Sequence, residues 1–193
     1  MLKSILRTTL FAGCCLLGYH ALQAQEVVHA LTGTVNTIDA AAKTFSITAD
    51  DGSGGVFDQA ASSHKSQWLE KAIRNGAVAA GGFNQTGAHV IVYYLGWGSP
   101  RTAVAFQALG AGPFTTTIGT VVKFDKGDRT LSIKEASGTV DSFKIFPDSV
   151  AETGIGAIEG LKFDPTKSER VRVTATPVNG TEKALFIYAA FAN

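Results

Sequence analysis

The sequence predicts a mostly β protein that folds as two tandem five-stranded barrels, each with one short helix. The first observation is a repeated motif whose members are all shifted by 86 positions, as from Gly33 to Gly119. The second is that β-branched residues dominate short segments bounded by turns rich in glycine and aspartate. The third is that only one segment of each copy has helical features. The motif comprises Gly33-Thr34-Val35, Asp39, Thr44 and Ser46-Ile47 in copy one, and Gly119-Thr120-Val121, Asp125, Thr130 and Ser132-Ile133 in copy two.

Copy one is predicted to occupy residues 25–112. A turn that begins at Asp39 separates its first two strands. Ser62 or Ser63 is suited to cap a helix that ends before Gly76. The apolar face of that helix consists of Trp68, Leu69, Ala72 and Ile73. The five predicted strands are residues 31–38, residues 43–48, the neighbourhood of 56–57, residues 90–94 and residues 102–106.

Copy two is predicted to occupy residues 113–193, after a joint at Gly110-Ala111-Gly112-Pro113 that interrupts helix and strand patterns. Ser149 and Glu152 have the spacing of a capping box, which predicts a short helix. The last two strands match those of copy one at an offset of 81 positions, as from Val90 to Val171, so the shortening falls around the helix. The five predicted strands are residues 118–124, 130–134, 143–146, 171–175 and 183–187.

Three strands, a helix and two further strands follow one another in each copy, which is the order of an OB-type barrel. With the Gly-Thr-Val, Asp and Thr-x-Ser-Ile motif, the chain resembles small exported bacterial OB-like β-barrel domains of unknown function, here in tandem. The resemblance covers nearly the whole chain after residue 24 and implies a fold. It implies no catalytic residues, because the shared motif is structural.

The N-terminal segment has the features of a secretory signal peptide over residues 1–24. Lys3 and Arg7 precede an apolar run at residues 10–17, and small residues end the segment at Ala24. The run is shorter than the about 20 apolar residues that a permanent membrane span needs. The protein is therefore predicted to be periplasmic or secreted, with no transmembrane span after signal removal. The alternative is a lipoprotein anchored at Cys14.

Composition after the signal excludes several kinds of chemistry. Cys14 and Cys15 are the only cysteines, so a chain without residues 1–24 has no disulfide, no thiol chemistry and no thiolate metal site. Removing Lys3 and Arg7 from the 17 basic residues leaves 15 against 16 acidic ones, a net charge of −1. This balance argues against nucleic acid as a partner.

Residues that suggest catalysis or metal binding are better explained as structure. The run Asp50-Asp51-Gly52-Ser53 has neither the ligand spacing of an EF-hand nor the lysine of a P-loop, so a hairpin turn is expected. His29, His64 and His89 have no short ligand spacing, so no metal or cofactor is predicted. Ser62-Ser63-His64 lacks the elbow motif of a catalytic serine. We therefore predict no catalytic residues, and a non-enzymatic protein is expected more than an enzyme.

The connection between the last two strands differs between the copies and is the candidate ligand site. Copy two has an Asn179-Gly180 turn, whereas copy one has a longer loop that contains Trp97 and ends at Arg101. OB barrels bind ligands at this loop, where an aromatic ring stacks on a sugar or base and a guanidinium binds a carboxylate or phosphate. Trp97 is expected to be at least partly exposed; the alternative is that it closes the barrel end. The predicted ligand residues are Trp97, Arg101, Tyr93 and Tyr94.

The outer face of the fourth strand also differs between the copies. In copy two, Arg172 and Thr174 alternate with valines and are predicted to face water. Copy one has Ile91 and Tyr93 at these positions, so its face is apolar and is expected to be covered. Copy two is the nearest partner, and a second chain in an oligomer is the alternative. Ile91 and Tyr93 are therefore the predicted interface residues.

These observations predict an exported, non-enzymatic binding or scaffolding module of the bacterial cell envelope. Its partner is expected to be a saccharide, a small ligand or another envelope protein. The alternatives are an envelope hydrolase with an unrecognised site and a purely structural protein. A pocket lined by converging carboxylates or histidines would favour the hydrolase, and a chain with neither a pocket nor an exposed Trp97 would favour the structural protein.

Overall fold

The computed structural model describes residues 26–61 and 67–190. The predicted signal peptide with Cys14 lies outside these residues, as do Ser62, Ser63 and His64. Barrel one contains β1 (His29–Asp39), β2 (Thr44–Ala49), β3 (Gly54–Gln59), α1 (Gln67–Arg74), β4 (Val78–Ala79), a 3₁₀ turn (Ala80–Gly82), β5 (His89–Leu95) and β6 (Arg101–Ala108). Barrel two contains β7 (Thr115–Asp125), β8 (Thr130–Lys134), β9 (Val140–Thr153), β10 (Gly156–Glu159), a 3₁₀ turn (Gly160–Lys162), β11 (Arg170–Val178) and β12 (Thr181–Tyr188).

Five strands close into a barrel in each copy. In barrel one the hydrogen-bonded order is β3-β2-β1-β5-β6, and β3 returns to pair with β6 in parallel. Barrel two repeats this order as β9-β8-β7-β11-β12, with β9 parallel to β12. The other neighbours in both orders are antiparallel. The predicted mostly β fold with two closed five-stranded barrels is therefore confirmed.

The repeated motif supplies turns and close strand contacts. Asp39 accepts hydrogen bonds from two backbone N–H groups of the turn that follows it, and Asp125 accepts one from the equivalent turn. A methyl group on Gly119 would lie 2.6 Å from the carbonyl oxygen of Lys134, and one on Gly33 would collide with the neighbouring strand in the same way. These aspartates and glycines therefore have structural roles in both copies.

Equivalent positions also fill the two barrel interiors. The buried side chains keep the shift of 86 positions through the third strand and of 81 positions in the fifth. Aromatic rings meet in barrel one, where the Phe45 and Phe83 rings lie 4.7 and 4.4 Å from the Phe106 ring. The paired core residues are Val35 and Val121, Phe45 and Leu131, Ile47 and Ile133, Phe57 and Phe143, and Phe106 and Ile187.

The helix predicted for copy one is confirmed as α1. Leu69 and Ala72 are buried, while Ile73, on the edge of the predicted apolar face, is 43% exposed. Gly76 follows the helix with φ +98°, a conformation that glycine adopts at a helix end without strain. No helix within residues 26–61 and 67–190 is long and apolar enough to cross a membrane.

The helix predicted for copy two is wrong, because residues 149–152 belong to β9. Ser149 does not cap a helix; its Oγ donates to the carbonyl oxygen of Ala184 on β12 at 2.6 Å. Glu152 does not fold back towards Ser149 but reaches barrel one, where it contacts His29 and the backbone N–H of Ala30. Contacts between strands and between barrels outweigh a local capping pattern at this place.

The two barrels meet along a buried face, which we call the seam. Ile91 and Tyr93 of barrel one lie there in one apolar cluster with Val150 and Phe186 of barrel two. Leu69 of α1 belongs to the same cluster. The two predicted interface residues thus lie between the barrels, where each apolar side chain is removed from water by the other barrel.

The prediction that Arg172 and Thr174 face water is wrong. Arg172 is 4% exposed and Thr174 is buried as well, because barrel one covers this face of β11. Arg172 Nη2 lies 3.3 Å from Asp51 Oδ2, and its guanidinium carbon lies 4.8 Å from the centre of the Tyr188 ring. Thr174 Oγ1 donates to Asp50 Oδ2 at 3.3 Å. The buried cation and hydroxyl are tolerated because each has a partner. The Asp50-Asp51 turn, expected only as a hairpin, therefore also joins the barrels.

Candidate functional site

The predicted ligand loop lies at one end of barrel one, beside the seam. It joins β5 to β6. His29 at the start of β1 contacts the loop, and Glu152 near the end of β9 contacts His29. Five side chains are connected there by ring contacts or hydrogen bonds. We call this group the Trp97 site: Trp97, Arg101, Tyr94, His29 and Glu152.

Trp97 presents most of its ring to solvent. Its side chain lies between two glycines, of which Gly96 has φ +84°, a backbone conformation that turns the chain sharply after β5. One face of the ring contacts the imidazole of His29, with 4.0 Å between ring centres. The residue is nevertheless 77% exposed. The expected exposure of Trp97 is therefore confirmed, and the alternative that it closes the barrel end is wrong.

Arg101 is held in place by two aromatic rings and one backbone carbonyl. Its guanidinium carbon lies 4.2 Å from the centre of the Phe57 ring and 5.0 Å from that of Tyr94. Nη2 donates to the carbonyl oxygen of Gly54 at 2.7 Å. No carboxylate within the described ranges lies at ion-pair distance from it. The cation is thus oriented but its charge is not neutralised by a direct partner.

Tyr94 and Tyr93 point to opposite faces of β5, because neighbouring residues in a strand alternate. Tyr94 points into the Trp97 site, where the centre of its ring lies 5.7 Å from that of the His29 ring. Burial and the nearby charge of Glu152 raise the pKa of Tyr94, while Arg101 opposes the shift. Tyr94 therefore stays protonated at neutral pH.

Tyr93 lies in the seam and has no surface to offer a ligand. Its ring is 4.7 Å from that of Trp68 on α1, and its hydroxyl donates to Gln107 Oε1 at 2.6 Å. Burial raises the pKa of this hydroxyl strongly. Of the four predicted ligand residues, the structure brings together Trp97, Arg101 and Tyr94 and separates Tyr93 from them.

His29 and Glu152 form the base of the site and were not predicted. Nδ1 of His29 lies 2.8 Å from Oε1 of Glu152, and the backbone N–H of Ala30 donates to Oε2 at 2.8 Å. Glu152 is 2% exposed. Burial raises the pKa of Glu152, and the hydrogen bonds from His29 and Ala30 offset only part of that effect. No local pattern relates residues 29 and 152, which lie on different barrels.

Tyr94, Trp97 and Arg101 have no counterpart at the matching positions of barrel two. The positions of Tyr94 and Arg101 are occupied there by Ala175 and Glu182, 81 residues later. The loop is the Asn179-Gly180 turn, in which both residues have positive φ. The combination of Trp97, Tyr94 and Arg101 is therefore not repeated at the matching positions of barrel two.

The arrangement is suited to binding. Trp97 offers a flat apolar surface and Arg101 offers N–H donors, a combination that is chemically suited to a ring with an acidic group. The acid and base pair, His29 and Glu152, lies buried beneath Trp97. In the part of the chain that the structure describes, no three His, Cys, Asp or Glu side chains are grouped to hold a metal ion.

No protein-family model matches this chain, and no curated protein is significantly similar to it. A function for the chain therefore has to come from the geometry of the Trp97 site.

Proposed function

We propose that this chain is an exported, non-enzymatic binding module of the bacterial cell envelope, and that its Trp97 site binds an acidic saccharide. The observation that carries the proposal is the open face of the Trp97 ring beside the oriented guanidinium of Arg101. An indole ring stacks on the apolar face of a sugar, and a guanidinium binds a carboxylate through paired hydrogen bonds.

We also propose that each barrel is OB-like. Three strands precede a crossover and two strands follow it, and the third and fifth strands pair in parallel. OB barrels bind oligosaccharides and oligonucleotides at the loop between the fourth and fifth strands, and this is the loop that holds Trp97. The near-neutral charge after residue 24 favours a saccharide over a nucleic acid.

The location in the envelope is supported by the pattern of residues 1–24, with its basic start, short apolar run and small residues at the end. Cleavage after Ala24 places the protein in the periplasm or outside the cell. A lipid on Cys14 would place the same barrels at a membrane surface.

The experiment expresses the chain with its own N-terminal segment in a bacterial host and collects it from the periplasm or the medium. Trigalacturonate serves as the acidic probe and maltotriose as the neutral one, with tryptophan fluorescence and calorimetry as readouts. We expect trigalacturonate to bind, and Trp97→Ala to weaken it about tenfold or more, as for a residue worth about 1.4 kcal/mol. Arg101→Gln is expected to weaken trigalacturonate more than maltotriose.

Two variants serve as controls. Trp68→Phe changes the other tryptophan, which packs on Tyr93 away from the loop, and Arg74→Gln removes an exposed cation at the end of α1. Both are expected to bind the acidic probe as the wild type does. The saccharide proposal is contradicted if the wild-type protein does not bind trigalacturonate. Capture of an envelope protein by the wild type but not by Trp97→Ala would assign the site to a protein partner instead.

A further inference from the structure

A second concave surface lies in barrel one, away from the Trp97 site. A cavity of about 580 Å³ opens between α1, the end of β3 and the 3₁₀ turn that follows β4. Its size is within the about 300–1,000 Å³ that small-molecule sites usually occupy. The described residues of its lining that are used below are Leu69, Ile73, Val104, Gly82, Gln59 and Glu70.

The cavity lies beside α1, in the stretch of the chain where barrel two continues β9. In barrel two, β9 lies directly on the equivalent 3₁₀ turn: a methyl group on Gly160 would be 2.6 Å from Cβ of Ser149. In barrel one the equivalent first residue of the turn is Ala80, whose side chain is buried. Barrel one, with α1 in place of the strand, therefore has room for a methyl group at a position where β9 leaves none in barrel two.

The lining is apolar with two polar groups of defined chemistry. Leu69 and Val104 are buried at the cavity wall, and Ile73 is partly exposed there. The amide of Gln59 and the carboxylate of Glu70 are the polar side chains that line it, and no lysine or arginine does so among the described residues. An apolar wall with one carboxylate at its rim is complementary to an apolar molecule that carries a positive charge.

We propose that this cavity is a second binding site, which takes a small apolar amine with its hydrocarbon part against Leu69, Ile73 and Val104 and its ammonium group at Glu70. The described lining of this cavity shares no residue with the Trp97 site. Binding of an amine in this cavity is therefore tested independently of acidic saccharide binding at the Trp97 site.

The test measures binding of octylamine to the full exported protein by calorimetry and by the shift in melting temperature. Octanol, which has the same chain without the charge, is measured beside it. We expect octylamine to bind and to raise the melting temperature. Glu70→Gln should weaken octylamine about two- to fivefold, as for an exposed ion pair, and leave octanol unchanged. Gly82→Leu fills the space and should abolish binding of both.

Controls separate the cavity from general effects. Glu135→Gln removes a partly exposed carboxylate on barrel two, and Gly154→Leu adds the same side chain as Gly82→Leu at an open glycine there. Both should bind octylamine as the wild type does, and so should Trp97→Ala. The proposal is overturned if the wild type does not bind octylamine, or if binding survives in a folded Gly82→Leu protein.

Discussion

Barrel one and barrel two fill their interiors from equivalent positions, yet they differ wherever the chain leaves the barrel wall. After the third strand, barrel one has α1 and an adjoining cavity, whereas barrel two continues β9 across the same place. After the fourth strand, barrel one has the loop with Trp97, whereas barrel two has a two-residue turn. The comparison teaches that the repeat preserves the barrel and leaves recognition to the connections.

At the seam, equivalent positions of the two copies face the other barrel with different chemistry. Ile91 of barrel one corresponds to Arg172 of barrel two, and Tyr93 corresponds to Thr174. All four are buried. Ile91 and the Tyr93 ring are stabilised by removal from water. Arg172 and Thr174 are polar and need partners, which are the carboxylates of Asp51 and Asp50 in the β2–β3 turn. The contact is therefore apolar in one part and polar in another.

The largest effect is expected where a charge enters the apolar part of the seam. Ile91→Lys should lower the free energy of unfolding by about 3–5 kcal/mol, because the new ammonium group would be buried without a partner. Urea denaturation measures the change. Ile118→Lys, on a partly exposed position of barrel two, is the control and should stay within about 0.5 kcal/mol of the wild type. Equal effects of the two variants would contradict the buried seam.

A smaller effect is expected in the polar part of the seam. Arg172→Met should cost about 1–2 kcal/mol, because it leaves Asp51 without its cation. The cost is limited since the Asp51 carboxylate is partly exposed, and since Nε of Arg172 lacks a partner among the described residues. A double-mutant cycle with Asp51→Asn measures the coupling, which should be about 0.5–1 kcal/mol. Strict additivity would show that the two groups do not interact in solution.

The smallest effects are expected from pH, and they have opposite signs on the two sides of the seam. Burial alone would raise the pKa of Asp50, but hydrogen bonds from His89, Thr32 and Thr174 outweigh it and hold the pKa below its usual value. Its contribution to stability is present above the unfolded value of about 3.9 and is lost as pH falls through the folded pKa.

Glu152 behaves in the opposite way, because burial raises its pKa. Its contribution is present below the unfolded value of about 4.3 and is lost as pH rises through the folded pKa. Denaturation of the wild type, Asp50→Asn and Glu152→Gln between about pH 3 and pH 8 measures both. The advantage of the wild type over Asp50→Asn should shrink towards acid, and its stability relative to Glu152→Gln should fall above about pH 4.3. Parallel curves for all three proteins would contradict both assignments.

Much of the Trp97 site was predictable, for reasons that particular residues show. Trp97 and Arg101 stand out because the second copy has a short turn and Glu182 at the matching places. The separation of Tyr93 from Tyr94 follows from strand alternation and needed no tertiary information. His29 and Glu152 could not be found in this way, because they lie 123 positions apart and on different barrels.

The amino-acid sequence by itself determined the two closed barrels, because a shift of 86 and then 81 positions brings the same apolar residues into both interiors. It also determined the turns at Asp39 and Asp125 and the exposed loop around Trp97. Only the tertiary structure decided that Arg172 is buried and that residues 149–152 form a strand. The first outcome depends on how barrel one covers β11, and the second on pairing of β9 with β10 and β12. Such contacts between distant residues leave no periodic signal in the chain.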